Sequence, residues 1–368
     1  MNKKIKNIIG IVTFSCFLIT TAIICILKPA DSMSESERRA LASFPKCSSE
    51  TIFSGEFAKG FENYAVDQFP FRDKLRTLKA MFSYNILNKA DNNGLFTFDG
   101  HISKIEYPKN PDMIEYAQKK FRYLYDEFMK DTNANIYFSI IPDKSMLLAK
   151  KSGHLSIDYD DFVNDFTKKT EYMKYIDISP LLSTDDYYKT DSHWKQENII
   201  DVAKKLGDAM GVTLSGEYTR NILENDFYGV YAGQSAIPCE PDEIVYLTNS
   251  AIDNCTVTSY ATGMAEKSVV YNMDKAYSKD PYEMFLSGSE PLLEIENENA
   301  TTDKELIIFR DSFGSSLSPL FIEAYKKITV IDIRYIQSNF IGSFVEFDNQ
   351  DVLFIYSTTL LNNSTALK

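Results

Sequence analysis

From Ile8 to Leu27 the chain carries no charged residue (IIGIVTFSCFLITTAIICIL), and that run constrains everything after it. Roughly 20 residues at about 1.5 Å each cross the ~30 Å hydrocarbon core of a bilayer as one helix. Lys3, Lys4 and Lys6 precede the run, and Lys28 followed by Asp31, Glu35 and Glu37 succeeds it. Lysines on the leading side place the short N-terminus in the cytoplasm and residues 29–368 outside. A cleaved signal peptide would export the same residues. The run is long for a signal, and no clean small-x-small site follows it. The expectation is a retained single-pass anchor over residues 1–28 in the cell membrane, with an extracytoplasmic remainder.

That remainder has the means to fold. Of the 368 residues, 44% are hydrophobic and 25% charged, an ordinary globular balance. The formal net charge of −13 is spread along the chain and would repel a phosphate backbone, so nucleic acid is excluded as a partner. Cys16 and Cys25 lie inside the apolar run; Cys47, Cys239 and Cys255 follow it. Cys239 and Cys255 are near enough in sequence to pair, which leaves Cys47 odd. No Cys-x-x-Cys or Cys/His cluster occurs, so the sequence calls for no metal and no organic cofactor.

Residues 29–110 read as a stalk with leading helices. Phe57, Phe61, Tyr64 and Phe69 share one side of a helical stretch interrupted at Pro70, and Asn92–Ile102 reads as strand and turn around Asp99-Gly100. An α/β domain is expected over 111–368. Met113, Ala117, Phe121, Leu124 and Phe128 recur at helical spacing, and Ile136–Ile141 is a strand-like run ending at Pro142. A helix carrying Phe162 and Phe166, a short strand Tyr175–Ile178 and a helix from about Gln196 to Met210 follow. Residues 212–285, rich in Gly and Pro, interrupt the alternation as a loop-rich or antiparallel insertion. It resumes with strand Leu306–Phe309, a helix over about Ser315–Lys327, and strands Thr329–Ile333 and Val352–Tyr356. Helices alternating with short apolar strands indicate a mostly parallel sheet.

Histidine is the usual general base near neutral pH, and the chain has three. His101 and His154 stand beside the turn glycines Gly100 and Gly153. His193 lies in Thr190-Asp191-Ser192-His193-Trp194, where Asp191 could orient the imidazole and the lone Trp could pack beneath it. Taken alone, the tripeptide is better read as a chance match in which Asp191 caps the helix. The second element is Leu306–Phe309 running through Arg310 into Asp311-Ser312-Phe313-Gly314. A serine between strand and helix is where α/β esterases place a nucleophile, beside unpaired backbone N–H groups able to hold an oxyanion. An ordinary N-cap would look the same.

Five separated blocks resemble the DHHW family, whose members are similar to alginate O-acetylation proteins and to circularly permuted SGNH hydrolases. They are Glu37–Pro45, Asp67–Arg72, Thr190–Trp194, Asp311–Phe313 and Asp332–Tyr335. The resemblance implies an SGNH-like three-layer sandwich with Ser312 as nucleophile, His193 as base and Asp191 as orienting acid. It makes Gly314, Gly288, Arg310, Arg334, Tyr335 and Trp194 candidates for the oxyanion site or the cleft. Two positions depart from the pattern. Ser192 replaces the first histidine of the namesake motif, and Arg310 stands where many SGNH enzymes have glycine, a cation that could narrow the approach or pair with a carboxylate.

The resemblance further implies a serine O-acyltransferase or esterase acting on acetyl esters of an envelope or extracellular polysaccharide. A membrane partner that passes acetyl groups outward would supply a transferase. The alternative is a non-catalytic glycan-binding or scaffolding protein with a degenerate SGNH-like fold.

Overall fold

The computed structural model describes residues 3–368, in two compact units. One unit comprises residues up to Asn93 together with Ala232–Pro238; the other comprises Gly94–Tyr231 and Cys239–Lys368.

The first unit opens with helix Lys3–Leu27, long and apolar enough to cross a membrane. Short helices Ser49–Phe53, Glu56–Asp67 and Arg72–Asn85 follow. The break between the last two falls at Pro70, which cannot donate to a helical ladder. Charge fixes this unit. Both carboxylate oxygens of Asp67 accept from the Arg39 guanidinium, at 2.9 and 2.6 Å, and the Ala42 amide adds a third bond at 2.9 Å. Glu37 pairs with Arg72 at 2.5 Å and with Arg76 at 3.3 Å. Gln68 closes the joint by accepting from the Asp31 amide and donating to its carbonyl. The blocks Glu37–Pro45 and Asp67–Arg72 are thus two halves of one clamp.

The second unit holds an eight-stranded sheet. Its strands in chain order are β1 (Asn135–Ile141), β2 (Lys174–Tyr175), β3 (Thr256–Ser259), β4 (Glu266–Ser268), β5 (Leu292–Glu296), β6 (Glu305–Arg310), β7 (Lys327–Ile331) and β8 (Asp351–Ser357). Their spatial order is β4-β3-β5-β7-β6-β8-β1-β2. The run β7-β6-β8-β1-β2 is parallel, and β5, β3 and β4 extend it antiparallel.

The central strands are buried on both faces, which is why they read as unbroken apolar runs. Successive side chains alternate between two cores. Leu306, Ile308, Leu353 and Ile355 join helix Ile200–Ala209 on one side. Ile307, Phe309, Val352, Phe354 and Tyr356 join helices Pro111–Leu124 and Tyr159–Thr167 on the other. The three-layer α/β sandwich expected from the sequence is the one observed.

Several elements differ in extent. The expected helix Ser315–Lys327 is an α-helix only over Phe313–Leu317 and continues as a 3-10 turn over Ser318–Phe321. Pro319 removes a helical donor, and the Ser318 hydroxyl takes the Gly314 carbonyl at 2.7 Å. The strand expected over Tyr175–Ile178 is reduced to β2. Within 212–285, β3 and β4 belong to the central sheet, and Thr219–Ile222 pairs with Val245–Thr248 as a separate ribbon. Cys239 and Cys255 are both free thiols, so the pairing their spacing allowed is not made.

The Arg39 guanidinium holds the Asp67 carboxyl down at about 2. A carboxylate with a depressed pKa stabilises the fold fully above its ordinary value and loses that contribution as pH falls through the folded one. Asp67→Asn should therefore lower the melting temperature at pH 6, and the gap from the parent should narrow as pH falls from 4 towards 2 in a thermal-unfolding series.

Candidate active site

Four parallel strands end at one edge of the sheet. Ser312 follows β6, Ser357 closes β8, Asp332 follows β7, and Pro142-Asp143-Lys144 follows β1. Outside the carboxyl ends of parallel strands is where open α/β sheets bind ligands.

Asp311 shapes the serine turn. Its Oδ1 accepts from the Phe313 amide at 3.0 Å, and its Oδ2 accepts from the Ser357 amide and hydroxyl at 2.8 and 2.7 Å. The turn after β6 is thereby bolted to the end of β8. Ser312 is left partly exposed above it.

The histidine arrives on a loop closed by the Tyr187–Trp194 bridge, with the Tyr188 amide donating to the His193 carbonyl at 3.0 Å. His193 Nε2 lies 2.7 Å from Ser312 Oγ, and His193 Nδ1 lies 2.6 Å from Asp191 Oδ1. The carboxylate can only accept, so Nδ1 carries the proton and Nε2 is free to accept from the serine hydroxyl. Asp191 is fully buried and held on both oxygens: the His193 amide reaches Oδ1 at 3.0 Å and the Val230 amide reaches Oδ2 at 2.8 Å. Gly229 is required here, because a Cβ on it would sit 2.2 Å from the Asp191 Cβ. Ser192 points its hydroxyl at Asp191 Oδ1 from 3.5 Å.

Of the remaining candidates, Trp194 and Arg310 are buried rather than exposed in a cleft. Trp194 is fully buried; its indole N–H ties to the Phe313 carbonyl and Ser316 hydroxyl at 3.1 and 3.0 Å, so it braces the serine helix from below. Arg310 is also buried. It pairs with Asp332 at 3.3 Å and donates to the Gly288 carbonyl at 3.0 Å, so it neither narrows nor lines an open cleft. The Gly314 amide is spent on the Asp311 carbonyl at 3.0 Å, and a Cβ there would meet Arg310 at 2.5 Å, so this glycine serves close packing. Gly288, at φ +72°, follows Leu286 and Ser287, which are also left-handed, and offers Arg310 its carbonyl. Among the described residues the Ser312 N–H has no acceptor, which leaves it available to an oxyanion. Arg334 forks onto Asp332 at 2.9 and 2.6 Å, and Tyr335 stands half-exposed beside it.

Three supporting residues were not singled out from the sequence. The Tyr282 ring stacks on His193 with centroids 3.9 Å apart, and its hydroxyl meets Ser316 at 2.9 Å. Asp242 accepts from the Lys189 and Thr190 amides at 2.8 and 2.7 Å. Lys144 is buried, and its ammonium donates to the carbonyls of Tyr188, Lys189 and Asp191 at 2.8, 3.2 and 2.6 Å. Burial pushes its pKa down to about 8 against the pull of Asp191, Asp143 and Asp242. Nothing local marks these roles, since each joins residues from different parts of the chain; only the position of Lys144 just past a strand end hints at the sheet edge.

Lys144→Met would leave the histidine loop's buried carbonyls without that donor. It should lower the unfolding free energy by on the order of 1–3 kcal/mol in a urea titration.

No family model matches the chain, and no curated protein matches it. Solved structures do. A DHHW family protein from Eubacterium siraeum shares 20% identity at a TM-score of 0.58, over 75% of this chain and 95% of its own. PatB1 of Bacillus cereus, solved with a sulfonyl adduct, shares 22% identity at a TM-score of 0.59, over 73% and 95%. The O-acetyltransferase domain of Pseudomonas putida AlgJ is more distant, at 11% identity and a TM-score of 0.43, over 73% and 92%. The chain has the fold of the DHHW family protein and of PatB1, as its spaced sequence blocks anticipated.

Proposed function

We propose that this chain is an extracytoplasmic serine O-acyltransferase or esterase acting on acetyl esters of an envelope or extracellular polysaccharide. The observation that carries the reading is the continuous line Asp191–His193–Ser312, with bonds of 2.6 and 2.7 Å and a solvent-accessible serine at the carboxyl edge of the sheet. Two hydrogen bonds in series from carboxylate to hydroxyl are the geometry that nucleophilic acyl chemistry needs.

His193 Nε2 takes the Ser312 proton as Oγ attacks the acetyl carbonyl. Asp191 holds the ring in its tautomer and stabilises the imidazolium. The developing oxyanion falls to the Ser312 N–H. Collapse returns the proton from Nε2 to the departing alcohol and leaves an acetyl ester on Ser312. A sugar hydroxyl or water, deprotonated by His193, then takes the acetyl group and frees the serine. Tyr282 and Phe313 cover the imidazole, so its catalytic nitrogen is directed to the serine side. Tyr335, half-exposed with the Arg334 guanidinium 5.3 Å from its ring, is the surface offered to a sugar. Helix Lys3–Leu27 anchors the chain to the membrane, where a partner delivering acetyl groups would meet it.

A sulfonyl fluoride should label Ser312 once per chain, and Ser312→Ala should take no label. His193→Ala and Asp191→Asn should each slow both labelling and release of a chromogenic alcohol from its acetyl ester, by on the order of 10³–10⁴-fold. A parent chain that neither turns over the ester nor takes the label would instead be a glycan-binding module.

A further inference from the structure

A surface helix normally turns its apolar stripe inward; helix Arg72–Asn85 does the reverse. Phe71, Leu75, Leu78, Phe82 and Ile86 recur every three or four residues along one face, and each is between 44% and 70% exposed. The opposite face is the one that packs. Ala80 and Ser83 are buried, and Arg76 donates to the Gly233 and Gln234 carbonyls at 2.8 and 3.1 Å while also pairing with Glu37. The stripe is therefore not a core face awaiting its neighbours within this unit.

Lysines border it. Turning about 100° per residue, Lys74 falls on one flank of the stripe and Lys79 on the other, and both are exposed. A helix with large apolar side chains on one face and lysines at its margins suits the boundary between acyl chains and anionic headgroups, with the lysine stems lying along the apolar layer and their ammonium groups in the polar one. The charge distribution along the chain agrees. Residues 28–93 hold ten Lys and Arg against nine Asp and Glu, whereas residues 94–368 hold 26 against 43. The anchor-proximal segment is thus the part of the exported chain that an anionic surface does not repel. It also belongs to the same compact unit as helix Lys3–Leu27.

We propose that helix Arg72–Asn85 lies in the interface of an anionic bilayer, with Phe71, Leu75, Leu78, Phe82 and Ile86 inserted and Lys74 and Lys79 at headgroup level. The proposal rests on the anchor reading of helix Lys3–Leu27 and is independent of the chemistry at Ser312.

The lone Trp194 is fully buried and gives a shielded fluorescence background. The full chain, carrying Phe82→Trp or Phe340→Trp, is reconstituted into phosphatidylcholine–phosphatidylglycerol vesicles with or without brominated acyl chains. Phe340 is a comparably exposed position in the other unit. The emission added by Phe82→Trp should fall roughly twofold or more in brominated vesicles, while that added by Phe340→Trp is unchanged. Adding Lys74→Glu and Lys79→Glu to Phe82→Trp should relieve part of the quenching. Equal emission with and without bromine at Phe82→Trp would overturn the proposal; protection of that position from aqueous acrylamide in the same vesicles would then assign the stripe to a second copy of the chain. Release of the parent chain from vesicles by alkaline carbonate would remove the anchor reading, and this proposal with it.

Discussion

The site depends on one buried carboxylate. Asp311 stands between β6 and the serine, and its two oxygens accept from two elements: one from the turn it begins, the other from the amide and hydroxyl of Ser357 at the end of β8. A serine after a strand is free to adopt many turns; a serine whose turn is tied to the neighbouring strand has one. The position of Ser312 is therefore set by the parallel register of β6 and β8, in which Phe309 faces Phe354 and Arg310 faces Ile355. The apolar packing on both faces of the sheet fixes that register, so the core and the nucleophile are parts of one constraint.

Charge elsewhere along this edge follows the same logic. Burying an ion is costly unless partners meet it, and here each partner is a piece of the site's framework. The Lys144 ammonium is met by three carbonyls of the histidine loop, and Asp242 by two amides of that loop. Arg310 and Arg334 share Asp332, which joins the residue before the serine turn to the end of β7. A glycine at position 310 would leave Asp332 with Arg334 alone. With arginine present, the guanidinium also reaches the Gly288 carbonyl, one of the contacts that hold a turn of three consecutive left-handed residues.

Much of this was legible in the sequence. β-branched and aromatic runs such as Leu306–Phe309 and Val352–Tyr356 can be satisfied only by burial on both faces, so the strands and their parallel class could be read directly. Asp-x-His and strand-Asp-Ser-Phe-Gly could each be read as motifs, although either could have been a helix cap. Lys144, Asp242 and Tyr282 could not be read, because a lysine opening a helix, an aspartate in a loop and a tyrosine in a 3-10 turn look like ordinary surface residues until the chain folds around them. Residue type left Trp194 and Arg310 open between lining a cleft and packing below it, and only the folded chain shows both buried, with Arg310 paired to Asp332.

By itself, the sequence determined the apolar span, the alternation of helix and strand, and which residues are chemically able to act. Those properties follow from local composition and period, which do not depend on what lies opposite. Only the tertiary structure decided that residues 119 positions apart, His193 and Ser312, meet at hydrogen-bond distance. It also decided that the stripe from Phe71 to Ile86 faces outward. An apolar period shows that a helix has a face to cover, but what covers it depends on contacts the period does not encode.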